Sequence, residues 1–334
     1  MRSILIKNPN LNAKLKGMYR KRITKEDIDE LIKQNSVKNV VLLLKSKSDI
    51  FKNADENIDR LEIESLLEKS QIEDILKIKH LINKKDGQLF DLFLLQYEIK
   101  LIKSILRKLY ANNNTNDIII QNVKNWNTTL FEDIKGIETV QNFEQFFLAI
   151  KRMKYNKILK DYKLQENINI FEMENQMDKF YFETLYDQIS FDKDLKKIVG
   201  SEIDLLNILW IFRIKKYYKF DNQKVKDILI NRNYRLNNKN IEKLLNINSF
   251  EDVKIIMQNT VYKKIFTTQE ELEDNIDKFL YNINKKVFTQ NHTSIAYIFA
   301  YINVIDYENN DIINTLEAIR YNIPKEELYK RLIR

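Results

Sequence analysis

The sequence has no cysteine, only four glycines and only two prolines in 334 residues. Without cysteine the chain has no disulfide, no thiol nucleophile and no thiolate ligand for a metal ion. Scarce glycine and proline leave few positions for hairpin turns or β-bulges. Leucine, isoleucine, lysine, glutamate and asparagine fill the segments between turns, and several of these residues favour helix. We therefore predict an all-α protein.

The motifs of an enzyme are also missing. The glycines are isolated from one another and no Gly-Lys-Ser or Gly-Lys-Thr triplet occurs, so no phosphate-binding loop is recognisable. His80 and His292 have neither another histidine nor a cysteine at ligand spacing. Carboxylate pairs at helical spacing, such as Glu174 with Asp178, are more typical of solvated helix surfaces than of acid–base catalysis. We predict no catalytic, cofactor-binding or metal-binding residue.

Long apolar runs are absent as well. The longest extends from Ile203 to Ile214, about 12 residues, whereas a helix that crosses a bilayer needs about 20. The first residues lack the apolar core and small-residue cleavage site of a secretory signal. We expect a cytoplasmic protein with no transmembrane segment.

The net charge of +8 raises the question of nucleic-acid binding. Lysines alternate with glutamate and aspartate along the chain, a mixture that is typical of solvated helix surfaces. We therefore expect no nucleic-acid partner. A basic patch that faces an acidic partner or an anionic membrane surface is the alternative interpretation of the excess charge.

What the sequence does contain is a repeat of about 105 residues. Glu98, Asp204 and Glu308 are 106 and 104 residues apart, and each is followed by a helical segment with a basic and aromatic end. Self-similarity at a fixed period indicates one structural unit used several times. Because this period is too long for a solenoid repeat, each copy should be a small helical domain.

A second recurring segment precedes the acidic one in each copy. Tyr155 and Tyr262 mark it, 107 residues apart, and Asp49 occupies the tyrosine position of the first copy. The copies nearly fill the chain, which predicts three similar helical domains. Their predicted ranges are 1–115, 116–220 and 221–334.

Asp204, Asn207 and Arg213 lie in a segment that is otherwise almost entirely apolar. On a helix the first two share a side, but Arg213 is roughly 13 Å further along and half a turn out of phase. An unpaired buried charge costs about 3 kcal/mol or more, so each residue needs a partner elsewhere. Two interpretations of the acidic position stay open. It accepts backbone N–H groups near the start of its helix, or it lines a contact between copies or with another protein.

Two segments carry a resemblance to a known family: GSEIDLLNILWIFRIKKYY at 200–218 and YENNDIINTLEAIRYNIPKEEL at 307–328. They resemble the C subunit of the rotary V-type and A-type ATPases, called the d subunit in the eukaryotic enzyme. The family pattern is an acidic residue, an asparagine three positions later and a helix end with arginine or lysine. The matching residues are Asp204, Asn207, Arg213 and Lys216 in the middle copy and Glu308, Arg320 and Tyr321 in the last.

The segment NAKLKGMYRKRITKEDIDEL at 12–31 also resembles the N-terminal helix of that family and the acidic helix after it. The copies depart from the pattern at the asparagine position. Leu101 takes the place of Asn207 in the first copy and Asp311 takes it in the third.

The resemblance implies a non-catalytic rotor subunit whose three domains form a pseudo-threefold, funnel-like arrangement. Such a subunit would lie on the proteolipid ring at the cytoplasmic face of the membrane and receive the D–F central stalk. It would couple ATP hydrolysis or synthesis to proton or sodium transport. The candidate structural or interface residues are Glu98, Asp204, Asn207, Arg213, Lys216, Glu308, Arg320 and Tyr321. The alternative function is that of a free-standing cytoplasmic scaffold that binds another protein.

Overall fold

A computed structural model describes residues 9–111, 137–164, 168–218, 220–290 and 294–334. Every regular element within these ranges is helical, so the predicted all-α class is confirmed. The α-helices are α1 (Pro9–Tyr19), α2 (Lys25–Ile32), α3 (Val37–Lys47), α4 (Arg60–Lys79), α5 (Lys84–Tyr110), α6 (Phe143–Ala149), α7 (Asn156–Leu159), α8 (Ile170–Gln188), α9 (Lys193–Tyr217), α10 (Asn222–Ile228), α11 (Asn238–Leu244), α12 (Phe250–Met257), α13 (Leu272–Gln290), α14 (Ala296–Arg320) and α15 (Lys325–Arg331). Short 3-10 helices occupy Asp49–Phe51, Ile137–Thr139, Ile150–Arg152 and Lys160–Leu164.

Polar side chains fix where several of these helices begin. At α2 the Thr24 hydroxyl accepts a hydrogen bond from the backbone N–H of Asp27 at 3.1 Å, and the Asp27 carboxylate accepts one from the Thr24 N–H at 2.9 Å. Ser249 and Asp252 form the same capping box at α12. Each cap satisfies backbone donors that the helix leaves free, and its loss typically costs about 1 kcal/mol.

The contacts divide the chain into two compact units. Unit 1 consists of Met1–Gly87, Asp192–Ile198 and Val261–Arg334, and unit 2 of Gln88–Phe191 and Val199–Thr260. The division into three domains stays a prediction.

In unit 1 the first and last parts of the sequence share one core. Helix α14 packs against α13, α4, α2, α3 and α15. Leu31 of α2, Leu44 of α3, Leu316 of α14 and Leu328 of α15 belong to one cluster of buried apolar side chains. Each fully buried leucine contributes about 2 kcal/mol of apolar transfer energy, so this cluster is the main force joining the two ends of the sequence.

One side-chain contact recurs at the repeat spacing. In unit 2 the buried Tyr155 ring meets Phe180 edge to face, with ring centroids 6.3 Å apart. In unit 1 the buried Tyr262 ring meets Phe279 in the same way at 5.6 Å. Each phenylalanine follows an Asp-Lys pair on α8 or α13. The two tyrosines that mark the repeat therefore make equivalent contacts, whereas Asp49 of the first copy is exposed.

Candidate functional site

The three repeated acidic residues lie in the middle of long helices. Glu98 is in α5, Asp204 in α9 and Glu308 in α14, with 6%, 0% and 4% of their surfaces exposed. The expectation that Asp204 lies near the start of its helix is wrong, because α9 begins at Lys193. Orphan N–H groups at the start of α9 therefore cannot hold this carboxylate, and its partners come from another segment.

The Asp204 site consists of Asp204, Asn207 and the backbone of residues 230–236. One carboxylate oxygen of Asp204 accepts a hydrogen bond from the Tyr234 N–H at 2.9 Å. The other accepts from the N–H groups of Arg235 at 2.6 Å and Leu236 at 2.9 Å. One turn further along α9, Asn207 donates to the carbonyl of Ile230 and accepts from its N–H, both at 3.0 Å. Two buried side chains on one helix face thus hold a whole loop by its main chain.

Gly200 explains why this loop can approach the helix so closely. It lies one turn before Asp204, and a Cβ atom at this position would be only 2.6 Å from the Cβ of Tyr234. The neighbouring Tyr186 hydroxyl donates to the carbonyl of Asn233 at 3.1 Å. Only glycine leaves room for the backbone and the tyrosine to pack here.

The Glu308 site in unit 1 consists of Glu308, Asp311 and the groups that bind them. One oxygen of Glu308 accepts hydrogen bonds from the Tyr19 hydroxyl at 2.6 Å, the Tyr281 hydroxyl at 3.1 Å and the Lys285 ammonium at 3.0 Å. Burial and then the charge of Glu308 raise the pKa of Tyr19 and of Tyr281 well above the ordinary value. Both phenols therefore stay protonated and act as donors.

Asp311 occupies the position that corresponds to Asn207. Its carboxylate accepts from the Ile333 N–H at 2.8 Å and from Nε of Arg334 at 3.0 Å. The same guanidinium donates to the carbonyls of Ile23 at 2.6 Å and Glu308 at 3.1 Å. Burial raises the pKa of Asp311, against the lowering effect of these hydrogen bonds and of the Arg334 charge. Asn207 and Asp311 thus bind backbone at nearly the same distance along the sequence, 23 and 22 residues later.

In the first copy the acidic residue, Glu98, has a different kind of partner. The Glu98 carboxylate forms an ion pair with Lys154 at 3.0 Å, and Leu101 at the asparagine position is a buried apolar side chain. The loop that would correspond to residues 230–236 falls within 112–136, outside the described residues. The three copies therefore share a buried carboxylate but not its partners.

A sequence profile for the family described as ATP synthase (C/AC39) subunit matches residues 11–331. The chain belongs to this family. Among its curated relatives is the C subunit of the A-type ATP synthase of Methanosphaera stadtmanae, 22% identical over 96% of this chain and 86% of the relative. The proteins of the same name from Desulfurococcus sp., at 21% identity, and Thermococcus kodakarensis, at 23%, each match 79% of this chain and 72% of the relative. The resemblance predicted from residues 200–218 and 307–328 is confirmed.

In this C/AC39 chain the basic residues near the helix ends are closer to solvent than the carboxylates. Arg213 is half-buried, and Lys216 is exposed over the rings of Phe212 and Tyr217, with Nζ 5.8 and 5.2 Å from their centroids. Half-buried Arg320 donates to Glu317 at 2.5 Å and also to the carbonyl of Ile58. The contacts given for Lys216 and Arg320 therefore lie outside the buried carboxylate sites.

Exposed tyrosines recur where the long helices end. Tyr110 ends α5, Tyr217 ends α9 and Tyr321 follows α14, with exposures of 68%, 67% and 68%. Each comes one or two residues after a lysine or arginine. A single exposed aromatic residue is ordinary on a protein surface, and tyrosine is enriched at protein interfaces. Only Tyr321 is among the residues predicted from the sequence, although the basic and aromatic end common to the copies also marks Tyr110 and Tyr217.

Neither a metal-binding cluster nor a membrane-spanning helix is found in the described part of the chain. Within it, no three His, Asp or Glu side chains come together as a metal-binding group. None of its helices is both long enough and apolar enough to cross a bilayer. The features that the described residues of this C/AC39 chain do show are the buried carboxylate sites and the exposed tyrosines.

Proposed function

We propose that this chain is the non-catalytic central-rotor subunit of a rotary A-type or V-type ATPase. In this role it is a socket that joins the D–F central stalk to the membrane proteolipid ring at the cytoplasmic face. It passes rotation between them and so couples ATP hydrolysis or synthesis to proton or sodium transport. Membership in the ATP synthase C/AC39 family supports the assignment to this complex.

The observation that carries the socket role is the set of three exposed tyrosines. A ring of identical subunits presents the same surface many times, and a partner with repeated contact groups can bind several of those surfaces at once. Tyr110, Tyr217 and Tyr321 are such groups, because each is about two-thirds exposed and follows a lysine or arginine by one or two residues in the sequence. Tyrosine and arginine are enriched among the residues that dominate binding energy at protein interfaces.

The buried carboxylate sites favour the same role. A part that transmits torque has to resist deformation, and loops that slide on their helices would absorb the motion. At the Asp204 site five hydrogen bonds at 2.6–3.0 Å fix residues 230–236 against α9. Such attachments lower the local freedom of the chain without any active-site chemistry.

The test is affinity purification of the tagged chain from gently solubilised membranes, with its companions quantified by mass spectrometry. We expect the proteolipid and the D and F subunits to accompany the chain. In the Tyr217→Ala/Tyr321→Ala variant, the amount of proteolipid should fall by at least about tenfold, because two interface anchors are lost. Tyr329→Ala is the matched control, since Tyr329 is half exposed but lies outside the repeated positions.

Recovery of the chain as a soluble species free of all ATPase subunits would contradict the proposal and favour the scaffold alternative. Recovery with the ring at wild-type level in the double variant would reject the tyrosine contact while leaving the rotor assignment intact. The two conclusions are therefore separable in one experiment.

A further inference from the structure

Unit 1 contains a surface groove of about 870 Å³ between α1 and α4, with the end of α3 beside it. Its lining residues recur at helical spacing, from Ala13 to Met18 on α1 and from Leu66 to Lys77 on α4, and Lys21 follows the end of α1. The lined part of α4 is roughly 16 Å long at 1.5 Å per residue, which is about three helical turns. The groove therefore has room for a short helical segment.

The groove is strongly basic. Seven lysine and arginine side chains line it, against three aspartate and glutamate side chains. One of the acids, Asp74, is already paired with Arg22 at 2.6 Å and with Lys77 at 3.3 Å. Four of the lysines form no ion pair with any residue that the structure describes: Lys14, Lys21, Lys45 and Lys69. Most of the positive charge is thus available to a ligand.

Arg22 adds a donor that the fold leaves unsatisfied. Its side chain is only 8% exposed, and one guanidinium nitrogen binds Asp74. The other terminal nitrogen is buried and has no hydrogen-bond partner among the described residues. Arg22 also lines a small cavity of about 10 Å³ next to Glu308, so this buried nitrogen is not assigned to the groove.

Apolar residues distinguish the groove from a site for nucleic acid. Met18, Ile50 and Leu66 line it, and no aromatic side chain is among its described lining residues. Proteins that bind single strands stack bases on aromatic rings, and the described lining of this groove offers none. Cations mixed with aliphatic side chains suit the acidic and apolar faces of an amphipathic helix.

We propose that this groove binds an acidic amphipathic segment of a partner protein, about three helical turns long. The carboxylates of the segment lie against Lys14, Lys21 and Lys69, and its apolar side chains lie against Met18 and Leu66. The inference concerns unit 1 alone and does not depend on the rotor role.

Gly17 provides a way to fill the groove without disturbing the fold. It lines the groove on α1, and no heavy atom lies within 4 Å of the position of its Cβ. Gly87 is the matched control, because it is also helical with open space at its Cβ but does not line the groove.

The probe for these variants is a fluorescein-labelled helical peptide of about 12 residues, with glutamate on one face and leucine on the other. It is titrated with the full chain, and binding is measured by fluorescence anisotropy. Gly17→Trp should weaken its binding at least about tenfold and Gly87→Trp less than about twofold.

Charge reversal tests the electrostatic part separately. Lys14→Glu/Lys69→Glu should weaken the same peptide at least about tenfold, and raising the salt concentration should weaken it in the wild type. Lys16→Glu/Lys264→Glu changes the net charge equally at exposed positions outside the groove and should leave binding within about twofold. A peptide with glutamine in place of glutamate should bind at least about tenfold more weakly.

Several outcomes would overturn the proposal. The first is an absence of peptide binding, and the second is an equal loss in the groove variants and their controls, which would indicate attraction to net charge alone. The third is tighter binding of a 12-nucleotide single strand or of inorganic pyrophosphate than of the acidic peptide, which would assign the groove to phosphate ligands. None of these outcomes bears on copurification with the proteolipid ring.

Discussion

At the Asp204 site, α9 binds backbone that follows within 32 residues along the chain, through five hydrogen bonds to the main chain. At the Glu308 site, α14 binds side chains from the far ends of the sequence, including Tyr19 and Arg334. The two sites occupy equivalent positions of the repeat. At the Asp204 site the N–H groups of residues 234–236 satisfy the carboxylate. At the Glu308 site two phenols and an ammonium bind Glu308, while Asp311 accepts the Ile333 N–H and the Arg334 guanidinium.

The two sites should also differ in how much their carboxylates contribute to the stability of the fold. Main-chain donors at the Asp204 site are fixed by the loop that they hold, so removing their acceptor leaves them without a partner. The donors at the Glu308 site are partly accessible, since about a third of the Lys285 side chain is exposed and can turn to water. We therefore expect the same substitution to be more damaging at the Asp204 site.

The largest effect should come from deleting the carboxylates themselves. Asp204→Ala removes the acceptor of three N–H groups, and we expect it to lower the free energy of unfolding by about 4 kcal/mol. Glu308→Ala should lower it by about 2 kcal/mol, because its donors reach solvent more easily. Urea denaturation measures both values, and amide exchange should show selective loss of protection at residues 234–236 in the first variant. Equal losses in the two variants would remove the contrast between the sites.

A second experiment transfers a residue of α14 into α9. Val304 lies one turn before Glu308, as Gly200 lies one turn before Asp204. Gly200→Val would press its side chain into Tyr234 and should cost about 3 kcal/mol in thermal or urea denaturation. Because the clash is with the Cβ of Tyr234, Gly200→Val/Tyr234→Gly should regain part of this loss. A double variant no more stable than Gly200→Val would mean that the tyrosine is not what excludes a larger residue.

A third experiment exchanges the side-chain types at the corresponding positions Asn207 and Asp311. Asn207→Asp replaces the donor to the Ile230 carbonyl by a buried charge and should cost about 3 kcal/mol. Asp311→Asn weakens the attachment of Arg334 but keeps an acceptor for the Ile333 N–H, so we expect about 2 kcal/mol. Urea denaturation at pH 7 measures the free energy of unfolding of both variants. If Asn207→Asp left the free energy of unfolding unchanged, the amide donor would be dispensable.

The smallest effect concerns two aspartates at matching positions. Burial, with nearby Asp274 and Glu273, raises the pKa of Asp277 to about 6. Burial also raises the pKa of Asp178, but the ion pair with Lys103 acts against that rise. Because the folded pKa of Asp277 lies above the ordinary 3.8, the fold binds its proton more tightly, and stability falls as pH rises from about 4 to 6. Asp277→Asn should therefore raise the free energy of unfolding by about 1 kcal/mol at pH 7 and leave it unchanged near pH 4. Asp178→Asn should give a smaller gain than Asp277→Asn at pH 7, because it also removes the ion pair with Lys103. Melting curves at pH 4 and pH 7 measure these changes in stability. If Asp277→Asn raised stability equally at pH 4, the titration of Asp277 would not be its cause.

The fold class followed from composition, because a chain with so little glycine and proline has few means of turning strands. Helical periodicity placed Asp204 and Asn207 on one side of a helix, and the structure has them there. Their partners were beyond sequence reasoning, since a main-chain N–H carries no residue-specific pattern. The start of α9 was missed because Gly200 resembles a boundary, whereas its missing Cβ serves close packing inside the helix. The contact of Tyr19 with Glu308 joins residues 289 positions apart, a separation that no local pattern reports.

The core that unites α2, α3, α14 and α15 also sets an order of events during translation. Every residue of unit 2 has been synthesised once Thr260 is added, whereas the core of unit 1 still waits for Leu328 and Leu332. Until then the early helices of unit 1 leave the ribosome with their apolar faces uncovered, a state prone to aggregation. A nascent chain paused near residue 300 should therefore depend on chaperones through its oldest segment and not through its newest.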